Sequence, residues 1–372
     1  MGEMQVISIG FLATVQDQGR YLCQHLGLAE AGALDKHALF WGNRLVGNKP
    51  DSPAVEILLG NSAFTFDSAT RIAISGAAMP VTLNDTPVPG WTAIPIQPGD
   101  VIKCGIAPSG LRAYLTIAGG FTVPRFFNSG STVIREQTGA NQGKKLTAGD
   151  TLSYRKQADQ TCQNAVTLWP KTPRHYIPDY NAPLTLHFFP GYHYREFDPN
   201  SVQRCLNNWY TIAQDSDRMG YRLSGTPLTR EGADILSIGV PCGAIQIPTA
   251  GEPIILLNDR QCTGGYPILG VVCARDLFRL AQKRPGEQVR FAIADIDQQQ
   301  RRLHTFYQFF ATNTINLARF ADDVKQSKVY RLTNDQQTTL APPAQATTHP
   351  PSHPPSAANL PPYPHPSSSR YN

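Results

Sequence analysis

Short apolar runs cut by glycine and proline recur along most of this 372-residue chain, and they restrict what it can fold into more than any other feature. Runs at 71–75, 111–117, 182–189, 235–238, 245–248, 254–257 and 288–293 are each too brief for a helix and are bounded by turn formers. Many short strands of this kind build barrels or sandwiches. The phrases Pro98-Gly99-Asp100, Ala148-Gly149-Asp150 and Pro285-Gly286-Glu287 each lead into such a run, with glycine supplying the positive φ of a tight turn.

The runs also show a weak internal repeat. Gln16-Asp17 with Arg20 is matched by Gln214-Asp215 with Arg218, Leu58 to Phe66 by Ser237 to Ile247, and Ala118 to Phe121 (AGGF) by Thr263 to Tyr266 (TGGY). Two related β-rich domains at 1–155 and 180–300, joined by a polar linker at 156–179, explain this order. Apolar residues at rough helical intervals (Phe306, Phe309, Phe310, Leu317, Phe320) predict a helical extension at 301–335 that packs on the second domain. Residues 336–372, rich in Pro, Ser, Thr and His, read as a disordered tail, because such a composition buries too little apolar surface to offset its ordering entropy.

A formal charge of +5 spread along the chain does not favour nucleic-acid binding. No apolar stretch is long enough for a bilayer span and the start lacks a secretion signal, so the expectation is a soluble, cytoplasmic protein without a membrane role. The seven cysteines have no zinc or redox spacing and are expected to be mostly free buried thiols; no metal site is expected.

Charged residues gather beside glycine turns in two places. Asp17, Arg20, Asp35 and Glu56 form the first group, where Arg20 either grips an anion with Asp17 orienting it or locks a turn. The second group joins Asp215, Asp217, Arg218 and Arg222 to Asp259 and Arg260, which close the apolar strand at 253–258, provided that folding brings the two loop ends together. Thr263, Gly264, Gly265 and Tyr266 follow, with the glycines placed for a sharp turn or close approach to a ligand. Asp276 reads as the N-cap of a short helix. GANQGKKL (139–146) is not a phosphate loop, since Lys145 stands where a magnesium-binding Ser or Thr belongs. AAMP (77–80) lacks the Met-Lys-Met centre of a biotin carrier, so no covalent biotin is expected on this chain.

TVQDQGR, AGALD, VEILLG, GLRAYLTIAGGF, QDSDRMGYRLSG, GAIQIPTAGEPI and LLNDRQCTGGYPILGVVCARDL, taken in order, resemble the biotin-dependent carboxyltransferase family. That family includes the C subunit of 5-oxoprolinase, proteins labelled allophanate hydrolase subunit 2, and the antagonist of a sporulation-kinase inhibitor. The resemblance implies a mainly β fold of two tandem cyclophilin-like β-barrel domains with short helices. It also implies an ATP-dependent complex that opens 5-oxoproline to L-glutamate, with a B-like partner of the kinase-inhibitor type and an A-like partner of the lactam-utilisation type. ATP is used by that complex. Carboxyl transfer in urea degradation and non-catalytic binding of a kinase inhibitor are the alternatives. On this reading Asp215, Arg218, Asp259 and Arg260 are the catalytic candidates, and Thr263, Gly264, Gly265, Tyr266, Asp17 and Arg20 the binding candidates. The first half departs more from the family pattern: Arg20-Tyr21-Leu22 lacks the expected glycine, and Asn128-Ser129-Gly130-Ser131-Thr132 replaces Gly-Ser-Arg-Ser-Thr.

Overall fold

The computed structural model describes residues 1–156, 170–232 and 235–312, all within one compact unit. The tail expected at 336–372 and most of the extension at 301–335 lie outside the described residues. In the first half the strands are β1 (Gly2–Ser8), β2 (Leu12–Gln16), β3 (Ala54–Leu58), β4 (Ser62–Phe66), β5 (Thr70–Gly76), β6 (Val81–Leu83), β7 (Thr86–Val88), β8 (Ala93–Ile96), β9 (Val101–Cys104), β10 (Arg112–Ile117) and β11 (Thr151–Tyr154), with helix α1 (Lys36–Leu45) between β2 and β3. The second half has β12 (Leu184–Pro190), α2 (Pro199–Asn207), β13 (Tyr210–Ile212), β14 (Gly220–Ser224), β15 (Ile238–Gly239), β16 (Ala244–Gln246), β17 (Ile254–Leu256), β18 (Thr263–Gly264), β19 (Ile268–Val272), α3 (Ala274–Leu280), β20 (Gln288–Ile293) and α4 (Ile296–Ala311).

The protein is mainly β. Two sheets, β11-β1-β4-β9-β6-β7 and β2-β3-β10-β5-β8, enclose the first core, where Val6, Val15, Phe64, Ile74, Ile102 and Leu115 meet. Along β1 the burial alternates, placing Met4 and Val6 inside and Glu3 and Gln5 outside, the period of a strand with one wet face. The second half closes into a barrel in the order β12-β19-β16-β17-β14-β13-β20, sealed by the parallel pair β12 and β20. Beside it, β15 and β18 form a separate ribbon of two residue pairs.

The turn glycines Gly99, Gly149 and Gly286 have φ of 86°, 92° and 88°, as the phrases around them predict. The glycine pairs of the repeat differ. Gly119 and Gly120 are left-handed, whereas neither Gly264 nor Gly265 has positive φ.

Helix α1 starts where the Asp35 carboxylate accepts from Ala38 N at 3.0 Å. Its Phe40 and Trp41 meet Phe306 and Phe310 of α4, with centroids 5.6 Å apart for Phe40–Phe306 and for Trp41–Phe310. The described part of the extension, within α4, therefore lies mainly on α1 of the first half, with Phe278 of α3 as its contact from the second. Spacing reveals the apolar face of a helix but not its partner, and the broad aromatic face of α1 is what Phe306 and Phe310 cover. Asp276 is inside the first turn of α3, after the N-cap Cys273. Its carboxylate is engaged elsewhere, accepting from His187 N at 2.8 Å and lying 2.8 Å from His187 Nδ1.

Candidate functional site

The two halves meet along a buried polar seam, and the segment 28–35 is its backbone. Ala31 N donates to Asn258 O at 2.9 Å, and Asn258 Nδ2 donates back to the carbonyls of Ala31, Gly32 and Ala33. Leu34 inserts into the hydrophobic cluster of the second barrel. Gln282, fully buried, clamps the other side: its Oε1 accepts from Leu111 N and Arg112 N, while its Nε2 donates to Arg112 O and Asp35 Oδ2.

Charge is concentrated at the centre of this seam. Arg218 donates from Nε and Nη2 to the two oxygens of Asp259 at 2.8 and 3.0 Å, from Nη1 to Glu56 Oε1 at 2.6 Å, and from Nη2 to Gly32 O at 2.8 Å. Glu56 also accepts from Tyr114 OH at 2.7 Å and has Arg112 Nε at 3.7 Å. Burial pushes the Glu56 carboxyl up, but Arg218 and Arg112 outweigh it and hold it below its ordinary value. Among the described residues no cation lies at hydrogen-bond distance from Asp35. Burial raises it to about 6 despite donors from Gln282, Ala38 and Tyr180.

Arg260, only 2% exposed, donates to Val240 O at 3.0 Å and to Leu257 O at 3.3 Å, and pairs with Glu30 at 3.5 Å. It thereby ties the end of the β15 segment to the loop that carries Asp259. Glu30 also lies 3.8 Å from Lys36, whose Nζ donates to Tyr21 OH at 2.7 Å. Thr263 and Gly264 form β18, and Thr263, Gly265 and Tyr266 are exposed beside it. A Cβ at Gly264 would lie 2.6 Å from Gln246 Nε2, the far end of a flexible side chain.

The predicted residues are thus divided among several roles. Arg218, Asp259 and Arg260 come together at the seam, next to the exposed Thr263–Tyr266 turn. Asp215 does not join them: it pairs with Arg222 at 3.0 Å on the surface. Asp17 locks a turn, accepting from Gly19 N, Ser129 Oγ, Gly130 N and Ser131 Oγ at 2.6–2.8 Å. Arg20 is buried against the same loop and donates to Ser131 O at 2.6 Å. Gly139 shapes that loop with φ of 92°, and a Cβ would lie 2.0 Å from Ser131 O. Gly139→Ala is expected to lower stability by about 1–3 kcal/mol or more, read as a fall in thermal midpoint; an unchanged midpoint would show that the loop adapts.

Sequence reasoning missed Lys36, Tyr21, Glu30 and Gln282. A lysine directly after the helix-capping Asp35 was the one local signal, since a buried lysine needs a partner. The described cysteines are free, and burial raises Cys104 and Cys273 to about 12, which disfavours thiolate chemistry there. Among the described residues no group of three or more His, Cys, Asp or Glu is placed to hold a metal, and no helix is long and apolar enough to cross a membrane.

The molecule is thus mainly β, with a closed barrel and a charged seam between its halves. The family model of the carboxyltransferase domain, subdomains A and B, matches residues 26–293, and the chain belongs to that family. It is similar to the 5-oxoprolinase C subunit of Haemophilus influenzae, 33% identical over 296 residues that cover 79% of this chain and 92% of the relative. The Escherichia coli protein of the same name is also 33% identical, over 300 residues. Among solved structures, the K. lactis urea amidolyase superposes with a TM-score of 0.76 at 26% identity, covering 83% of this chain but only 20% of that one.

Proposed function

We propose that this chain is a 5-oxoprolinase subunit of the C type, acting with a B-like and an A-like partner in the ATP-dependent opening of 5-oxoproline to L-glutamate. The observation that carries this reading is coverage. The match spans 92% of the two C-type relatives, whereas it spans 24% or less of the urea carboxylase and urea amidolyase relatives. The domain limits 1–155 and 180–300 belong to the same proposal.

Phosphoryl transfer from ATP to the lactam oxygen makes the ring carbonyl open to attack by water; loss of phosphate and cleavage of the C–N bond then give glutamate. ATP is assigned to the complex and not to residues of this chain. The turn Thr263–Tyr266 is taken as the substrate turn, with Arg260 positioning it through Val240 and Glu30. Asp259 and Arg218 hold the loop in place, their charged atoms being engaged with each other. Asp17 and Arg20 would support the first half's loop and do not contact substrate on this reading.

Co-expression with the two partner types should give glutamate release that depends on both ATP and 5-oxoproline. Arg260→Ala in that complex is expected to lower turnover at least about tenfold, because a misplaced turn loses positioning. No release from the complete wild-type complex would sink the proposal. Carboxyl transfer to urea is the second reading, favoured by the superposition on urea amidolyase; biotin- and bicarbonate-dependent turnover of urea would support it.

A further inference from the structure

Helix α1 buries Lys36 at its first position, 7% exposed, where its other buried residues carry no charge. An ammonium group at that depth needs partners to offset its lost hydration. Burial pushes Lys36 down, but Tyr21, Glu30 and Tyr307 outweigh it and hold the group above its ordinary value, so it stays charged. Its Nζ donates to Tyr21 Oη at 2.7 Å, lies 5.0 Å from the centre of that ring and stands 3.8 Å from Glu30 Oε1. The other oxygen of Glu30, Oε2, is 3.5 Å from Arg260 Nη1. One carboxylate is therefore held between a cation of the first half and a cation of the second. Lys283, also buried, is used differently: it donates to the carbonyls of Tyr180 and Ala182 and to Glu287, fixing the approach to β12.

We propose that Lys36 is a positioning residue for the turn Thr263–Tyr266, acting through Glu30 on Arg260, so that the first half sets the geometry of the second. This inference rests on the assignment of the substrate turn made under the proposed function. Arg260 braces the approach to that turn from two sides, donating to Val240 O and Leu257 O, while Val240 N donates to Cys262 O at 3.0 Å. Glu30 supplies the third direction of the guanidinium, and Lys36 holds Glu30 from its far side. Lys36→Met keeps the apolar stem and removes that hold. Glu30 is then free to turn its 16%-exposed carboxylate toward water, and Arg260 loses the contact that fixes its orientation. A displacement of the turn by a fraction of an ångström is enough to slow a positioned reaction. The fold itself should not suffer, because Glu30 keeps Arg260 within reach and no carboxylate is left buried alone.

Two measurements test this. In hydrogen exchange on the full chain alone, Lys36→Met is expected to speed exchange at 238–240 and 259–266 about threefold or more, with α1 and the thermal midpoint unchanged. In the complete complex it is expected to lower kcat/KM for 5-oxoproline about fivefold or more. It should add nothing to the loss in Arg260→Ala, because both changes act on the same brace. Unchanged exchange at 259–266 overturns the inference, and so do independent, multiplying effects of the two substitutions on kcat/KM. Faster exchange spread over α1 together with a lower midpoint also overturns it, since the lysine then supports the fold and not the turn. If Lys36→Met loosens 259–266 as expected but the wild-type complex releases no glutamate, the proposed function fails and the positioning of the turn stands. If the complex turns over 5-oxoproline equally well with Lys36→Met, the reverse holds.

Discussion

Arg218→Met is expected to destabilise the protein by about 3–5 kcal/mol, the largest effect of any single change at the seam. The variant leaves Asp259 without its bidentate partner and Glu56 with only the more distant Arg112 at 3.7 Å, both carboxylates being nearly inaccessible to water. A buried charge without its partner costs far more than the intact pair contributes. The triple variant Glu56→Gln, Arg218→Met, Asp259→Asn should therefore recover part of the loss, since it removes the uncompensated charges together. Denaturant titration reads both. A single-variant loss below about 1 kcal/mol would mean that water reaches the seam and screens the carboxylates.

Stability is expected to fall by about 3 kcal/mol between roughly pH 4 and pH 7 through Asp35 alone, a dependence opposite in sign to ordinary acid denaturation. Below 3.8 its carboxyl is protonated in folded and unfolded chains alike, and its contribution is fully present. As pH rises the unfolded chain ionises first, while burial holds the folded carboxyl protonated to about 6, so stability is lost through that window. Glu56 runs the other way. Its folded value is depressed, so its contribution is present above its unfolded value and is lost as pH falls through the folded one. The two together predict a stability maximum on the acid side of neutrality. Asp35→Asn should abolish the decline toward neutral pH, although it weakens the contact with Gln282 Nε2. Urea midpoints measured from about pH 4 to 8 test this; the same slope in wild type and variant would assign the decline to another group.

What the sequence made legible was local. The apolar runs at 71–75, 254–257 and 288–293 became β5, β17 and β20, and the three turn glycines took the positive φ that their phrases require. Those features follow from rules acting within a few residues. The union of Arg218 with Asp259 was also within reach, because both charges flank turns at the ends of apolar runs. Glu56 as the third member was not, since it is 162 residues from Arg218 and only packing of the two halves brings it there. The same long-range packing explains α4 covering α1. The repeat misled at Asp215: its counterpart Asp17 has Ser129 and Ser131 to receive it, whereas Asp215 pairs with Arg222 on the surface.

Hydrogen exchange on the reconstituted complex, with and without 5-oxoproline and ATP, tests the central claim most directly, because it reports where ligand changes protection in this chain. Ligand is expected to alter exchange at 238–240 and 259–266, with the loop at 129–132 unchanged. Ligand-dependent protection confined to 17–23 and 129–132, with the ribbon and its turn unaffected, would contradict it and place the site in the first half.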